Sequence, residues 1–178
     1  MSKYLACPYL YEDIQDLKCD FELLTDEAAS IIGLLNSFVN DQQLKLELTK
    51  VNTLVYSIMT SIRNKTSLTN QDLTWLESRL NFYKTEVGER KSKFVIPQGS
   101  TLASYCHILR TKFKALVRLL FKYKEQGNDV DEILFDFLNL LAGYFFTLAL
   151  KLNKDDGIDE VEYIINKWLK INNSFRYD

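Results

Sequence analysis

Apolar residues recur at helical spacing along almost the whole chain from Thr25 onward. Positions three and four apart share one face of an α-helix, so a run of this kind predicts an amphipathic helix. Five such runs follow one another, and their apolar positions fall within residues 28–39, 44–62, 73–87, 103–120 and 133–152. The last run is apolar nearly all round, so we expect that helix to be central or to lie in a subunit interface.

Helix-capping residues, rather than the turn residues of a β-sandwich, separate these runs. The 178 residues include only 6 Gly and 2 Pro, too few for many tight strand connections. Each run instead follows a residue whose side chain can accept from the first helical N–H groups. The candidate caps are Thr25 or Asp26, Asp41, Thr69, Ser100 or Thr101, and Asp129, which would form a capping-box-like start with Glu132.

These features together predict an all-α fold, namely a five-helix, mainly up-and-down bundle, because short connections favour antiparallel neighbours. We expect residues 1–24 to be an irregular N-terminal segment and residues 25–178 to form one helical-bundle domain. A short sixth helix at the C-terminus is predicted from one further apolar stripe, made of Val161, Ile164, Ile165, Trp168 and Leu169.

Composition argues against several classes of function. The formal net charge of −2 offers no bulk attraction to nucleic acid or to an anionic membrane. One His and three widely spaced Cys exclude a Cys/His zinc site and argue against a disulfide scaffold, which favours a reducing, cytoplasmic location. The most apolar run, residues 137–150, is shorter than the ~20 residues of a membrane span. We interpret it as a buried helix.

A basic stripe on the fourth predicted helix is the strongest candidate for a ligand-binding surface. His107, Arg110, Lys114 and Arg118 are spaced by three, four and four residues, so they share one face. Such a stripe suits an anionic ligand such as a polyphosphate. A solvated basic face would show the same spacing, and His107 alone is typical of a hydrogen-bonded structural histidine.

One polar residue, Asn139, interrupts the apolar run of the fifth predicted helix. Two interpretations are open from the sequence. The amide could form a hydrogen bond to a neighbouring helix inside the bundle, or it could face a ligand.

Four short segments resemble the PduO-type ATP:cob(I)alamin adenosyltransferases. That family carries Phe-x-x-Pro-Gly-Gly-Ser/Thr, then His-x-x-Arg-Thr on the next helix, then an Asn near the start of the following one. Residues 94–100, 107–111 and 137–139 are similar to these motifs, and residues 26–33 are similar to the family's Asp-Glu-Leu-Asn-Ser-x-x-Gly. The segments occur in the family's order and cover about residues 25–153.

The resemblance implies a homotrimer of five-helix bundles with active sites between subunits. In that family ATP and a reduced corrinoid such as cobalamin bind together, and the Co(I) centre attacks the ribose 5′ carbon and expels triphosphate. By position, Arg110 would contact the phosphates and pair with Asp26 of the partner subunit. Asn139 would support ATP and its Mg²⁺, and Phe94 would pack on the lower corrin face.

The resemblance also implies ligand contacts for three other residues. Lys114 and Ser100 would belong to the ATP site, and His107 to the corrinoid site. Lys114 stands where the family has a second arginine, and a lysine lacks the bidentate fork of a guanidinium.

The N-terminal part of the chain differs from the family pattern. Family members begin with a Gly- and Thr-rich loop that cradles triphosphate, whereas residues 1–32 contain no glycine. Gln98, Val117 and Gly143 also differ, since the family has Gly, Glu and commonly Asp there. Three hypotheses therefore stay open: a working adenosyltransferase, a catalytically degenerate trimeric homologue that binds a corrinoid, nucleotide or other anion, and a purely structural bundle.

Overall fold

Five α-helices account for most of the computed structural model, which describes residues 3–4, 8–92 and 94–163. Their bounds are α1 Lys18–Phe38, α2 Gln42–Ile58, α3 Asn70–Val87, α4 Thr101–Glu125 and α5 Glu132–Asp155. Short 3-10 helices at Pro8–Tyr11, Met59–Ile62 and Gly88–Ser92 extend or precede them. The predicted all-α class and the five helices are confirmed. Of the predicted sixth helix, only Val161 lies within the described residues.

The helix boundaries follow the predicted caps at three of five positions. The side chains of Asp41, Thr69 and Ser100 each accept from a backbone N–H of the following helix, and Thr69 forms a full capping box with Asp72. The other two predictions are wrong. α1 begins at Lys18, so Thr25 is buried within it, and α5 is capped by Asp131 rather than Asp129.

The helices alternate in direction along the chain. α1 packs on α2 and α4, and α5 packs on α3 and α4. Phe38, at the end of α1, stacks on Tyr105 near the start of α4, so these two helices are antiparallel. Lys154 Nζ, at the end of α5, donates to Glu86 O near the end of α3, so α3 and α5 are parallel. An up-down-up-down-up order accounts for both relations.

The core of the bundle is built around α5. More than half of its residues are buried, and Phe145 stacks on Phe113 of α4 with ring centroids 5.5 Å apart. The helix is 24 residues long and includes an 18-residue stretch with a mean hydropathy of 1.8, which is enough to cross a membrane by length and composition alone. Its burial against α3 and α4 is what a core helix of a bundle shows. The predicted buried helix is therefore confirmed, although it is longer than its most apolar run.

A buried ionic contact joins α2, α3 and α5. The carboxylate of Glu47 is 3% exposed; its Oε2 accepts from Arg79 Nε at 2.6 Å and its Oε1 accepts from the Tyr144 hydroxyl at 2.8 Å. Burial and the neighbouring carboxylate raise the pKa of Tyr144, so the phenol keeps the proton that it donates. This contact fixes the three helices relative to one another.

Candidate active site

A cleft of about 800 Å³ opens between the N-terminal half of α4, the middle of α5 and the segment that leads into α4. Its lining is mostly apolar, with two cations and one amide. The lining residues are Phe94, Val95, Ile96, Pro97, Arg110, Lys114, Asn139, Ala142, Gly143, Phe146 and Tyr163. Four residues predicted from the sequence, Phe94, Arg110, Lys114 and Asn139, thus meet in one cleft.

The two cations have no acidic partner within the described part of the chain. Arg110 is half-buried, its Nε is buried without a hydrogen-bond partner, and its guanidinium lies 5.6 Å from the centroid of the Phe146 ring. Lys114, one turn further along α4, is exposed and makes no ion pair with a described residue. Unneutralised cations beside an apolar wall form a site that favours an anionic ligand.

An aromatic wall faces these cations. Phe94 is 73% exposed, although a large apolar side chain is normally covered, and it meets Tyr163 edge to face at 5.7 Å. The backbone holds this pair in register, because Tyr163 N donates to Phe94 O at 2.7 Å and Ile96 N donates to Val161 O at 2.8 Å. Exposed rings on a fixed backbone offer a flat apolar surface for a ligand.

The segment that carries this wall is fastened to the end of α5. The side chain of Asn153 is fully buried, donates from Nδ2 to Gln98 O at 3.1 Å and accepts at Oδ1 from Ser100 N at 3.0 Å. Gly99 has φ +140°, and a Cβ on it would lie 1.9 Å from Asn153 Oδ1. Only glycine fits beside the amide, which explains this glycine in physical terms.

Arg90 fastens the segment that ends in Tyr163. Its guanidinium, in the 3-10 helix Gly88–Ser92, donates to Ile158 O and to the carboxylates of Asp159 and Glu160, at 2.8 to 2.9 Å. The bidentate fork of an arginine can hold several acceptors at once. The charged stretch between α3 and α4 therefore supports one side of the cleft.

His107 lies behind the cleft rather than on its lining. It is 4% exposed, its ring is 6.2 Å from that of Phe146, and neither ring nitrogen has a hydrogen-bond partner within the described residues. Among the described residues, the interpretation of His107 as a hydrogen-bonded structural histidine is therefore wrong. Burial, and then the charge of Arg110, lower the pKa of His107 to about 4, so the ring is neutral at pH 7.

We expect His107 to make stability fall on mild acidification. The unfolded chain binds the proton near pH 6.5 and the folded chain only near pH 4, so folded-state stability is lost as pH drops through that window. Between pH 7 and pH 5 the free energy of unfolding should fall by about 2 kcal/mol more in the wild type than in His107→Leu. Urea denaturation at both pH values measures this, and equal losses in the two proteins would contradict it.

The remaining predicted residues occupy other positions. Asn139 is exposed at the edge of the cleft and donates to Phe135 O in its own helix, so no inter-helix hydrogen bond is seen among the described residues. Ser100 Oγ accepts from Ala103 N as the α4 cap and does not line the cleft. Asp26 is exposed on α1, without an ion pair or hydrogen bond to a described residue; its neighbour Glu27 pairs with Lys112.

Several residues of the site escaped the sequence analysis. Phe146 carries a detectable signal, since it lies seven residues after Asn139 and so shares its face of α5. Tyr163, Arg90 and Asn153 carry none. Their roles depend on contacts between segments more than 50 residues apart along the chain.

Comparison with known proteins finds a related sequence of known activity. The corrinoid adenosyltransferase of Bacillus subtilis (strain 168) is 36% identical over 101 residues, which are 57% of this chain and 51% of that protein. This chain thus spans about half the length of that curated relative.

Three solved structures are similar over most of the bundle. A variant of a PduO-type ATP:corrinoid adenosyltransferase from Lactobacillus reuteri, complexed with cobalamin and ATP, has a TM-score of 0.73 at 25% identity, with 83% of this chain and 84% of that chain covered. A second variant with the same ligands gives 0.74 at 25% identity over 84% and 87%. A third, complexed with ATP, gives 0.72 at 26% identity over 84% and 88%.

The fold is therefore that of the PduO-type adenosyltransferases, with the cleft between α4 and α5. The family model for cobalamin adenosyltransferase matches residues 23–152 of this chain. The chain belongs to the cobalamin adenosyltransferase family.

Proposed function

We propose that this protein is an ATP:corrinoid adenosyltransferase. It would transfer the 5′-deoxyadenosyl group of ATP to the cobalt of a reduced corrinoid. The electron pair of Co(I) would form the Co–C bond as the bond between C5′ and the phosphate oxygen breaks, and triphosphate would leave with the electron pair of that C–O bond. The observation that carries the proposal is the cleft itself, where cations without acidic partners face an exposed aromatic wall.

The cations suit the leaving group. Triphosphate gains negative charge as the C5′–O bond breaks, and fixed donors at that point stabilise the transition state more than the ground state. Arg110 and Lys114 would hold the phosphates, the guanidinium as a planar fork and the ammonium as a point charge. Ser100 stays a proposed ATP contact through the backbone that follows it into the helix N-terminus, where N–H groups attract phosphate.

The aromatic wall suits the corrin ring. Phe94 would pack on the lower face, where it would exclude water and favour the four-coordinate cobalt that is easier to reduce. His107 would contribute to the corrinoid site from behind Phe146, as a neutral ring.

Magnesium would arrive with ATP rather than occupy a protein cage. The described residues contain no group of three or more His, Cys, Asp or Glu that could hold a metal ion. Mg²⁺ commonly keeps several waters and binds through substrate phosphates with one or two protein oxygens. The amide nitrogen of Asn139 donates to Phe135 O, which leaves the amide oxygen available as such a ligand.

A homotrimer would complete the site, with Asp26 of the partner subunit pairing with one edge of the Arg110 guanidinium while the rest of the fork faces the phosphates. Exposed apolar side chains on the outer faces of the helices, such as Leu34 and Phe38, would be covered in that assembly. We expect light scattering at micromolar concentration to give about three times the 20.8 kDa mass of the chain. A monomer would contradict the shared site.

A cytoplasmic location stays a proposal from cysteine usage.

A catalytically degenerate homologue, retaining the binding of a corrinoid, nucleotide or other anion, is the second candidate. Residues 1–32 lack glycine, and Gln15 O accepts from Gln126 at the far end of α4. Lys114 lies about 18 Å from that end, at 1.5 Å per residue. Within one chain, Gln15 is therefore remote from the proposed phosphate site. A purely structural bundle is the third candidate, but it does not explain why Arg110 and Lys114 lie in the cleft without an acidic partner among the described residues.

Anaerobic adenosylation tests the proposal. Purified protein is mixed with ATP, Mg²⁺ and chemically reduced cobalamin, and the visible absorbance is followed as the Co–C bond forms. ATP-dependent turnover would support the proposed activity. No turnover beside an active control enzyme would contradict it. Thermal stabilisation by ATP·Mg²⁺ or cobalamin would then favour the degenerate homologue, since a ligand at 100 times its dissociation constant adds about 2.7 kcal/mol to stability.

A further inference from the structure

The side-chain amide of Asn153 binds the backbone of residues 94–100, the segment that carries Phe94 of the aromatic wall. It lies in the last turn of α5, outside the part of the chain that the family model matches. Its side chain is fully buried, and both ends of the amide are used: Nδ2 donates to Gln98 O and Oδ1 accepts from Ser100 N. A buried amide that satisfies two backbone groups fixes their positions, because breaking either bond would leave a polar group unpaired.

The backbone of Asn153 also binds the segment that carries Tyr163, the second ring of the wall. Asn153 O accepts from Ile158 N at 2.8 Å, and residues 161–163, shortly after Ile158, pair with residues 94–96. Two segments that contribute rings to the cleft, one before α4 and one after α5, therefore meet at one residue. Val95, between the exposed Phe94 and Ile96, packs into a small cluster with Val87 and Leu150, so the segment is anchored directly after Phe94 as well as at Gln98 and Ser100.

We propose that Asn153 is a positioning residue for corrinoid binding, which holds the segment 94–100 so that the Phe94 ring forms the wall of the cleft. This inference rests on the proposed function and deepens it. Asn153 does not line the cleft and does not touch a ligand; it acts through the backbone of Gln98 and Ser100. Its loss should therefore weaken the corrinoid site more than the phosphate site, whose cations are fixed by the middle of α4.

The experiment compares Asn153→Ala and Asn153→Asp with Asn128→Ala, in the full chain. Asn128 is a matched control, because its Nδ2 donates to Tyr123 O at 2.9 Å at the other end of α4, away from the cleft. Asn153→Asp keeps the acceptor for Ser100 N and loses the donor to Gln98 O. Thermal melting first establishes that each variant folds.

Hydrogen exchange of residues 94–100 in the unliganded protein is the first readout. We expect exchange at least about tenfold faster in Asn153→Ala, a smaller increase in Asn153→Asp and no change in Asn128→Ala, because exchange follows local opening. Unchanged exchange in Asn153→Ala would overturn the anchoring role. If Asn153→Ala does not fold, the same comparison is made with Asn153→Asp alone.

Equilibrium binding of cob(II)alamin and of ATP·Mg²⁺ is the second readout. The dissociation constant for cob(II)alamin should rise about tenfold in Asn153→Ala, while that for ATP should rise less, because Arg110 and Lys114 keep their places on α4 and only the proposed Ser100 contact is disturbed. Equal rises for both ligands, or no rise for the corrinoid, would overturn the inference even if the wild type turns over. If the wild type binds cob(II)alamin more tightly than Asn153→Ala but does not turn over, the proposed activity is contradicted. The role of Asn153 is then still supported.

Discussion

Replacing Arg110 with alanine is expected to lower kcat/KM for adenosylation by at least about a hundredfold, in the range seen when one preorganised donor to a developing charge is removed. The guanidinium is half-buried in the cleft, and no described carboxylate neutralises it. Its charge is therefore available to the departing triphosphate. Steady-state adenosylation, with ATP and reduced cobalamin varied in turn, measures the loss.

Two further variants sharpen this prediction. Lys122→Ala removes an exposed cation from the same helix, outside the cleft, and should leave kcat/KM within about twofold. Arg110→Lys keeps the charge but not the fork, and should recover only part of the activity. Equal losses in Arg110→Ala and Lys122→Ala would mean that the basic stripe of α4 is a solvated face.

Replacing Arg79 with alanine is expected to lower the free energy of unfolding by about 3 kcal/mol, because it leaves the Glu47 carboxylate buried without its cation. That carboxylate is 3% exposed, and after the change it would keep the Tyr144 hydroxyl as a donor but lose its cation. Arg79 is partly exposed, so the lower end of the usual range for a broken buried pair applies. Urea denaturation at pH 7 measures the change.

An exposed ion pair on the same bundle supplies the control. Lys112→Ala breaks the contact with Glu27, whose side chain is half exposed, and should cost less than about 1 kcal/mol. Adding Glu47→Gln to Arg79→Ala should recover part of the loss, because a neutral amide costs less to bury unpaired than a charge. Similar losses in Arg79→Ala and Lys112→Ala would show that burial of Glu47 contributes little.

The helices could be predicted because their signals are local. Apolar spacing of three and four residues, together with a side chain that accepts from the next turn, acts over a few residues. Asp41, Thr69 and Ser100 were found for this reason. The start of α1 was missed, because Leu17, at the N-cap position, has no side chain that can accept from the helix, and the acceptor for Lys18 N is Asp16, one residue earlier.

The candidate site could be predicted only where its residues share one helix face or one short motif. Arg110 and Lys114 lie one turn apart on α4, and Phe94 belongs to the segment that enters that helix. Local patterns in the sequence therefore predict all three. The outcome for His107 differed from the sequence prediction, since burial without a partner depends on Phe146 and the neighbouring helix rather than on its own spacing.

The sequence by itself determined the helical class, the five helices of the bundle and the cations of the basic stripe, because hydrophobic periodicity and capping depend on residues a few positions apart. Three contacts could be known only from the tertiary structure. The Asn153 amide leaves room only for glycine at position 99, Arg90 binds residues 158–160, and Tyr163 packs against Phe94 in one wall. These contacts connect segments far apart along the chain. Their geometry is set by how α3, α4 and α5 pack, and no local pattern encodes that packing.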